Sequence, residues 1–148
     1  MEGVIRDEAS VHAVAHDPAR RAFELLHWGF VAIPAVAGFD KFTHLLTNWD
    51  RYLAPVVQRA LPFSAHAFML FVGAVELVAA MLVAIRPRIG AYVVTGWLAA
   101  IVLNLILCRA YYDVALRDVG LAVAAIALGW LSSRYDVVER PPATRVVR

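Results

Sequence analysis

Four long apolar blocks alternate with short polar stretches along the chain, and each block is long enough to form a membrane-spanning helix. A helix rises 1.5 Å per residue, so about 20 apolar residues cross the hydrocarbon core of a bilayer. The clearest block, Ala65 to Ile85, carries a single carboxylate, Glu76, near its middle. The predicted helices cover residues 22–46, 65–85, 89–107 and 114–131.

The connections between these helices predict how they are arranged. Residues 86–88 and 109–113 form turns so short that the helices they join must run antiparallel. The predicted fold is therefore all-α: a polytopic membrane protein built as an antiparallel four-transmembrane-helix bundle over residues 22–133. A cytoplasmic tail is expected at residues 1–21 and another at 134–148. The longest connection, residues 47–64, predicts an amphipathic segment that lies on the membrane surface.

Composition and charge agree with the membrane class and suggest an orientation. The 148 residues are 61% hydrophobic and only 18% charged, which is more apolar than a soluble domain. With both termini on one side, that side holds nine of the 14 basic residues. The positive-inside rule then predicts an inner-membrane protein with both termini cytoplasmic. No basic patch interleaved with aromatic residues suggests a nucleic-acid partner.

In this orientation, all four helices bring polar side chains into the outer half of the bilayer. The candidate ligand-binding residues are Asp40, Lys41, His44, Glu76, Asn104 and Asp118. An ionisable group as deep as Glu76 costs roughly 2.5–3.5 kcal/mol to insert, so it normally faces the bundle interior and has a partner. Three states are open for Glu76: it is protonated, it is paired with Lys41 or Arg117, or it belongs to a binding site.

Helical spacing relates several of these residues to their neighbours. Gly73 shares a face with Glu76, and Gly96 shares a face with Asn104, so both stripes favour close helix approach. Asn104 could serve as an interhelical hydrogen-bonding group or as a ligand contact. Asp113 and Arg117 are spaced for an ion pair within one helix. Asp118, one residue further round, could then point inward.

These residues also resemble a known pattern. The segment Gly38-Phe39-Asp40-Lys41-Phe42 resembles the G-x-x-K-hydrophobic signature of the DoxX-like family of small membrane proteins. The run Gly73-Ala74-Val75-Glu76-Leu77 is similar to that family's second helix, and Arg117-Asp118 resembles the opening of its fourth. The resemblance spans residues 23–131. It implies a four-helix bundle and membership of a group that includes a small thiosulfate:quinone oxidoreductase subunit, partners of membrane oxidoreductases and maturation factors. The positions that match are Gly38, Lys41, Glu76 and Asp118.

Three functional hypotheses follow. The first is a small membrane subunit or accessory protein of a quinone-linked oxidoreductase system, not catalytic by itself, with quinone as its candidate cofactor. Its partners would be the lipid bilayer and an oxidoreductase protein or further copies of the chain. The alternative is a small proton, ion or solute transporter that uses Glu76. A third hypothesis, a metal enzyme with ligands Asp40, His44 and Glu76, depends on helix rotations that the sequence does not define, and the prediction is for no metal.

Two further features narrow these hypotheses. Cys108 is the only cysteine, so the chain has no internal disulfide and cannot exchange thiols as a self-contained oxidoreductase. His12 and His16 lie four residues apart in the N-terminal tail. That spacing alone is a weak metal signal, and ordinary solvated histidines are the expectation.

Overall fold

The computed structural model describes residues 17–135, which are almost entirely helical. The elements in chain order are α1 (Pro18–Thr43), a 3-10 turn (Trp49–Tyr52), α2 (Pro55–Ala60), α3 (Ala65–Ile85), α4 (Pro87–Leu107) and α5 (Tyr112–Tyr135). Helices α1, α3, α4 and α5 are each long and apolar enough to cross a membrane. The predicted all-α fold with four transmembrane helices is confirmed. Most of both predicted tails, including His12 and His16, lies outside the described residues.

The first and last helices differ from their predicted bounds because local capping decides where they stop. Helix α1 begins at Pro18 rather than residue 22, since the Asp17 carboxylate accepts the Ala19 N–H at 3.0 Å and a proline fits the first helical position. It ends at Thr43 rather than residue 46, because His44 takes a left-handed conformation with φ 55°. Helix α5 runs on to Tyr135, past the predicted end at residue 131.

The connections from α3 to α4 and from α4 to α5 are short. Arg86 alone separates α3 from α4, whose first residue is Pro87. Residues 108–111 link α4 to α5, and both Arg109 and Tyr111 have positive φ, at 53° and 59°. These turns reverse the chain, as the spacing of the apolar blocks predicts.

The helices form two closely packed pairs, α1 with α3 and α4 with α5, and the pairs meet through smaller α3–α4 and α1–α5 contacts. We call the end of the bundle that holds the start of α1 and the end of α5 the terminal face, and the opposite end the loop face. An apolar cluster fills the terminal half. Its buried members are Phe23, Phe30, Ala79, Val83, Ala91, Val94, Ala125 and Leu128.

A hydrogen bond closes the terminal face. The Tyr135 hydroxyl donates to the Asp17 carboxylate at 2.5 Å, which joins the start of α1 to the end of α5. This hydrogen bond, together with the one from the Ala19 N–H, lowers the pKa of Asp17 below its usual value. The cap of α1 is thus also a tie between two helices.

Residues 44–64 fold over the loop face, and the middle of this predicted surface segment enters the bundle. Leu53 and Ala54 are buried, at 5% and 0% exposure. Leu53 packs against Met69 and Val72 of α3, with Val57 at the edge of the same cluster. Other apolar residues of the segment stay exposed, namely Leu45, Leu46, Val56 and Phe63. Its contact with a membrane surface therefore stays a prediction.

Candidate functional site

Helices α1 and α3 approach each other most closely at two facing glycines. A Cβ atom on Gly38 would lie 2.8 Å from the carbonyl oxygen of Gly73, and one on Gly73 would lie 2.7 Å from the carbonyl oxygen of Gly38. Any larger residue at either position must force the backbones apart. The small-residue stripe that carries Glu76 is therefore a helix contact, as its spacing predicts.

The crossing brings together the lysine and the glutamate that follow these glycines by three residues. Lys41 Nζ lies 2.5 Å from Glu76 Oε2. The two side chains are only 4% and 9% exposed. Of the open states for Glu76, the structure shows pairing with Lys41. A charge-assisted hydrogen bond in so apolar a place is strong, and each partner depends on the other.

Trp49 completes the surroundings of the lysine. Lys41 Nζ lies 3.9 Å from the centroid of the Trp49 ring, a cation–π contact. It also donates to the Ala37 carbonyl oxygen at 3.4 Å. The ammonium thus meets a carboxylate, a carbonyl and an aromatic face.

Asp40 holds Trp49 in this position. Its carboxylate accepts the Trp49 indole N–H at 2.7 Å and the backbone N–H groups of Leu45 and Leu46 at 2.9 and 3.0 Å. These hydrogen bonds use Asp40 to shape the chain as it leaves α1, and its side chain does not line the cavity described next. Asp40 is therefore a positioning residue rather than part of the polar lining.

A cavity of about 770 Å³ lies beside the ion pair, among the four long helices and below the loop segment. Most of its wall is apolar, from residues such as Phe30, Leu98 and Leu121. Exposed residues also border it, Ile33 and Leu103 among them at 58% each, so the cavity communicates with the exterior. This size and lining are typical of a small-molecule site.

A few polar groups converge on this apolar space. Lys41, Glu76 and Asp118 all line it. The Trp97 indole N–H also lies there, buried and near the Glu76 carboxylate. Within the described part of the chain, it has no hydrogen bond that meets normal geometry. Trp97 is a residue that sequence reasoning missed. It lies seven residues before Asn104 on the same face of α4, a spacing that could have found it.

Asp118 points inward, as predicted, but its partner differs from the expected arrangement. Arg117 Nη2 lies 2.9 Å from Asp118 Oδ1, while the Arg117 side chain is 65% exposed and that of Asp118 only 6%. The predicted ion pair between Asp113 and Arg117 is wrong, because the neighbouring carboxylate captures the guanidinium. Asp118 thus brings a second carboxylate to the cavity, close enough to act electrostatically on Glu76.

Asn104 lines the cavity, but its side-chain amide is hydrogen-bonded to the loop segment. Its Nδ2 donates to the Tyr52 carbonyl oxygen at 2.6 Å, and its Oδ1 accepts the Ala54 N–H at 3.0 Å. The Cys108 thiol donates to the same Tyr52 oxygen at 3.4 Å, and burial raises the pKa of this thiol. Asn104 is therefore neither an interhelical bond nor a free ligand contact. It fastens the segment that covers the cavity.

The close helix approach predicted along Gly96 and Asn104 of α4 is wrong. A Cβ atom on Gly96 would meet no described residue within 4 Å, so the Gly96–Asn104 stripe is not a crossing between the described helices. Close approach on α4 occurs instead at Gly90, where a Cβ atom would lie 2.5 Å from the Val83 Cα. The tight turn at Arg86 imposes it, because it brings the facing ends of α3 and α4 together.

His44 lies away from the cavity, at the loop face. Its ring stacks on that of His66, with centroids 5.2 Å apart. Since Asp40 caps the end of α1 and Glu76 pairs with Lys41, the metal hypothesis built on Asp40, His44 and Glu76 does not match the structure. Of the six predicted site residues, the structure brings Lys41, Glu76, Asn104 and Asp118 to one cavity. Asp40 and His44 do not line this cavity.

Comparison with known proteins adds no relative. No family model, no curated protein and no solved structure matches this chain.

Proposed function

We propose that this chain is a small integral membrane subunit or accessory protein of a quinone-linked oxidoreductase system. The observation that carries the proposal is the buried Lys41–Glu76 pair in the wall of a large apolar cavity. An ion pair is costly to bury and adds little to stability over an apolar pair. A pair placed where a ligand can reach it is more readily explained by binding.

The chemistry of the cavity suits a quinone headgroup. A quinone is a flat apolar ring with carbonyl oxygens that accept hydrogen bonds. The Trp97 N–H and the Lys41 ammonium supply donors, and the rings of Trp49 and Tyr52 border the same space. The volume of about 770 Å³ lies within the range of small-molecule sites. The open side of the cavity would let an isoprenoid tail reach the lipid.

Two features support the subunit role: the chain has no cysteine pair, and it resembles the DoxX-like family. With one cysteine, the chain cannot exchange disulfides, so electrons would reach the quinone through a partner. The proposed partner is a membrane-associated oxidoreductase, alone or with further copies of this chain. The proposed location is the inner membrane with both termini cytoplasmic, on the count of nine basic residues against five.

Transport through Glu76 is the alternative, and no observation favours it. A carrier of protons or ions needs polar groups along a path to both faces. The terminal half of the described bundle is instead filled by the apolar cluster around Phe30, Val83 and Leu128.

Tryptophan fluorescence can test quinone binding directly. Trp49 and Trp97 border the cavity, whereas Trp28 and Trp130 are 64% and 69% exposed and lie outside its lining. We expect a short-tailed quinone to quench the purified protein saturably. Trp97→Phe should weaken binding about 2–10-fold through loss of one hydrogen bond.

The matched control is Trp130→Phe, which removes an exposed indole and should leave the affinity unchanged. Quenching that rises linearly with quinone, equally in both variants, would mean that quinone only partitions into the detergent. That result would contradict the proposal.

A further inference from the structure

At the loop face, three potential metal ligands from distant parts of the sequence lie together. They are His44 just after α1, Asp50 in the 3-10 turn and His66 in the first turn of α3. One ligand atom from each lies within 4.8 Å of the other two. His66 Nδ1 and Asp50 Oδ2 are 3.5 Å apart. None of the three lines the cavity, so this cluster is separate from the proposed quinone site.

The spacing suits a tetrahedral transition metal. Bonds of about 2.0–2.1 Å from zinc to nitrogen or oxygen place neighbouring ligand atoms about 3.4 Å apart. One pair is already near that distance, and the others, which lie within 4.8 Å, need to close by at most about 1.4 Å. His44 and His66 are partly exposed side chains at a helix end and a helix start, where small rotations are cheap.

A second observation points to a missing partner for the carboxylate. The Asp50 side chain is 32% exposed, but its Oδ1 atom is buried and has no hydrogen-bond partner among residues 17–135. A buried carboxylate oxygen without a partner is expensive, and most such atoms in folded proteins are satisfied. The backbone N–H of Asp50 is held by the Asn48 side chain at 3.1 Å, so the turn that presents the carboxylate is itself fixed.

From these observations we propose that His44, Asp50 and His66 bind a divalent transition metal, with zinc the best match. Two imidazoles and one carboxylate form a ligand set known for zinc, and water would take the fourth position. The metal would join the end of α1, the loop segment and the start of α3. It would therefore clamp the segment that covers the cavity.

The experiment uses the full chain, purified in detergent with a tag that contains no histidine and stripped with a chelator. Zinc is titrated in competition with a chromophoric chelator. We expect one equivalent per chain. The double variant His44→Ala/His66→Ala should lose more than about 100-fold in affinity, because even outer-sphere changes cost 10–100-fold.

The matched control is His12→Ala/His16→Ala, which also removes two histidines, four residues apart in the sequence. It should still bind one equivalent with unchanged affinity. If it loses the zinc, or if the His44→Ala/His66→Ala variant binds like wild type, the proposed site is wrong.

X-ray absorption of the wild-type zinc complex keeps the test independent of any variant's folding. We expect scattering from two imidazoles and from oxygen ligands. A spectrum with no imidazole scattering, or binding of less than one equivalent by the wild-type chain, would overturn the assignment.

Discussion

Removing one member of the Lys41–Glu76 pair should cost far more than removing both. Glu76→Leu leaves an ammonium in an apolar interior, and Lys41→Met leaves a carboxylate there. The double variant replaces the pair with two apolar side chains of similar size. Because both native side chains are nearly inaccessible, no solvent screens the interaction and the full cost is expected.

The magnitude can be bounded from above. At 2.5 Å, an effective dielectric constant of about 20 gives an attraction of roughly 7 kcal/mol. Relaxation of the surroundings and entry of water keep the cost of breaking the pair below this attraction. Each single variant should therefore lose about 3–5 kcal/mol, and the double variant about 1 kcal/mol or less.

The assay is reversible unfolding in mixed detergent micelles, followed by circular dichroism on all four members of the cycle. We expect a coupling free energy of about 5 kcal/mol or more, because two single losses of about 3 kcal/mol or more shrink to about 1 kcal/mol in the double variant. The control is the exposed Arg20–Glu24 pair at 3.1 Å, whose side chains are 51% and 54% exposed. Its coupling should stay below about 0.5 kcal/mol. If the Lys41–Glu76 coupling is equally small, the pair is not the buried interaction described above.

Three further predictions concern other contacts. Gly73→Ala should lower the free energy of unfolding by about 1–3 kcal/mol, because the added methyl group forces α1 away from α3. Gly96→Ala has open space around it and should not destabilise the protein. Equal effects would contradict the crossing. Asn104→Ala should speed amide hydrogen exchange in residues 52–58 by releasing the loop segment, and unchanged exchange would contradict its fastening role. The hydrogen bond from Tyr135 lowers the pKa of Asp17, so wild type should be more stable than Asp17→Asn above about pH 4. This advantage should disappear as the pH falls through the native pKa of Asp17, which unfolding measured across pH would show. An advantage that persists at low pH would refute the tie.

Much of the fold was predictable because lipid allows few alternatives. A spanning segment must satisfy its own backbone groups, so each long apolar block had to be a helix. The bounds of α3 match the prediction, residues 65–85, because Ser64 caps its start and Arg86-Pro87 ends it. The bounds of α1 and α5 were less visible, since polar residues can continue a helix beyond its apolar part.

The candidate site was predictable only as far as helical spacing reaches. Depth alone required a partner for Glu76, and the glycine stripe indicated which face it occupies. Spacing could not show that Arg117 would form its ion pair with Asp118 rather than Asp113, or that Asn104 would hydrogen-bond to the loop backbone. Those outcomes depend on helix rotation and on the path of residues 44–64, and so does the meeting of His44, Asp50 and His66.

The most direct test of the central proposal is mass spectrometry of the protein purified gently from its native membranes. We predict a bound quinone, with an oxidoreductase partner in stoichiometric amount. The comparison is Ala100→Trp, which places a large side chain in the α4 wall of the cavity. This variant should retain the partner and lose the quinone. Wild-type protein that carries neither quinone nor partner, or quinone retained equally by Ala100→Trp, would contradict the account.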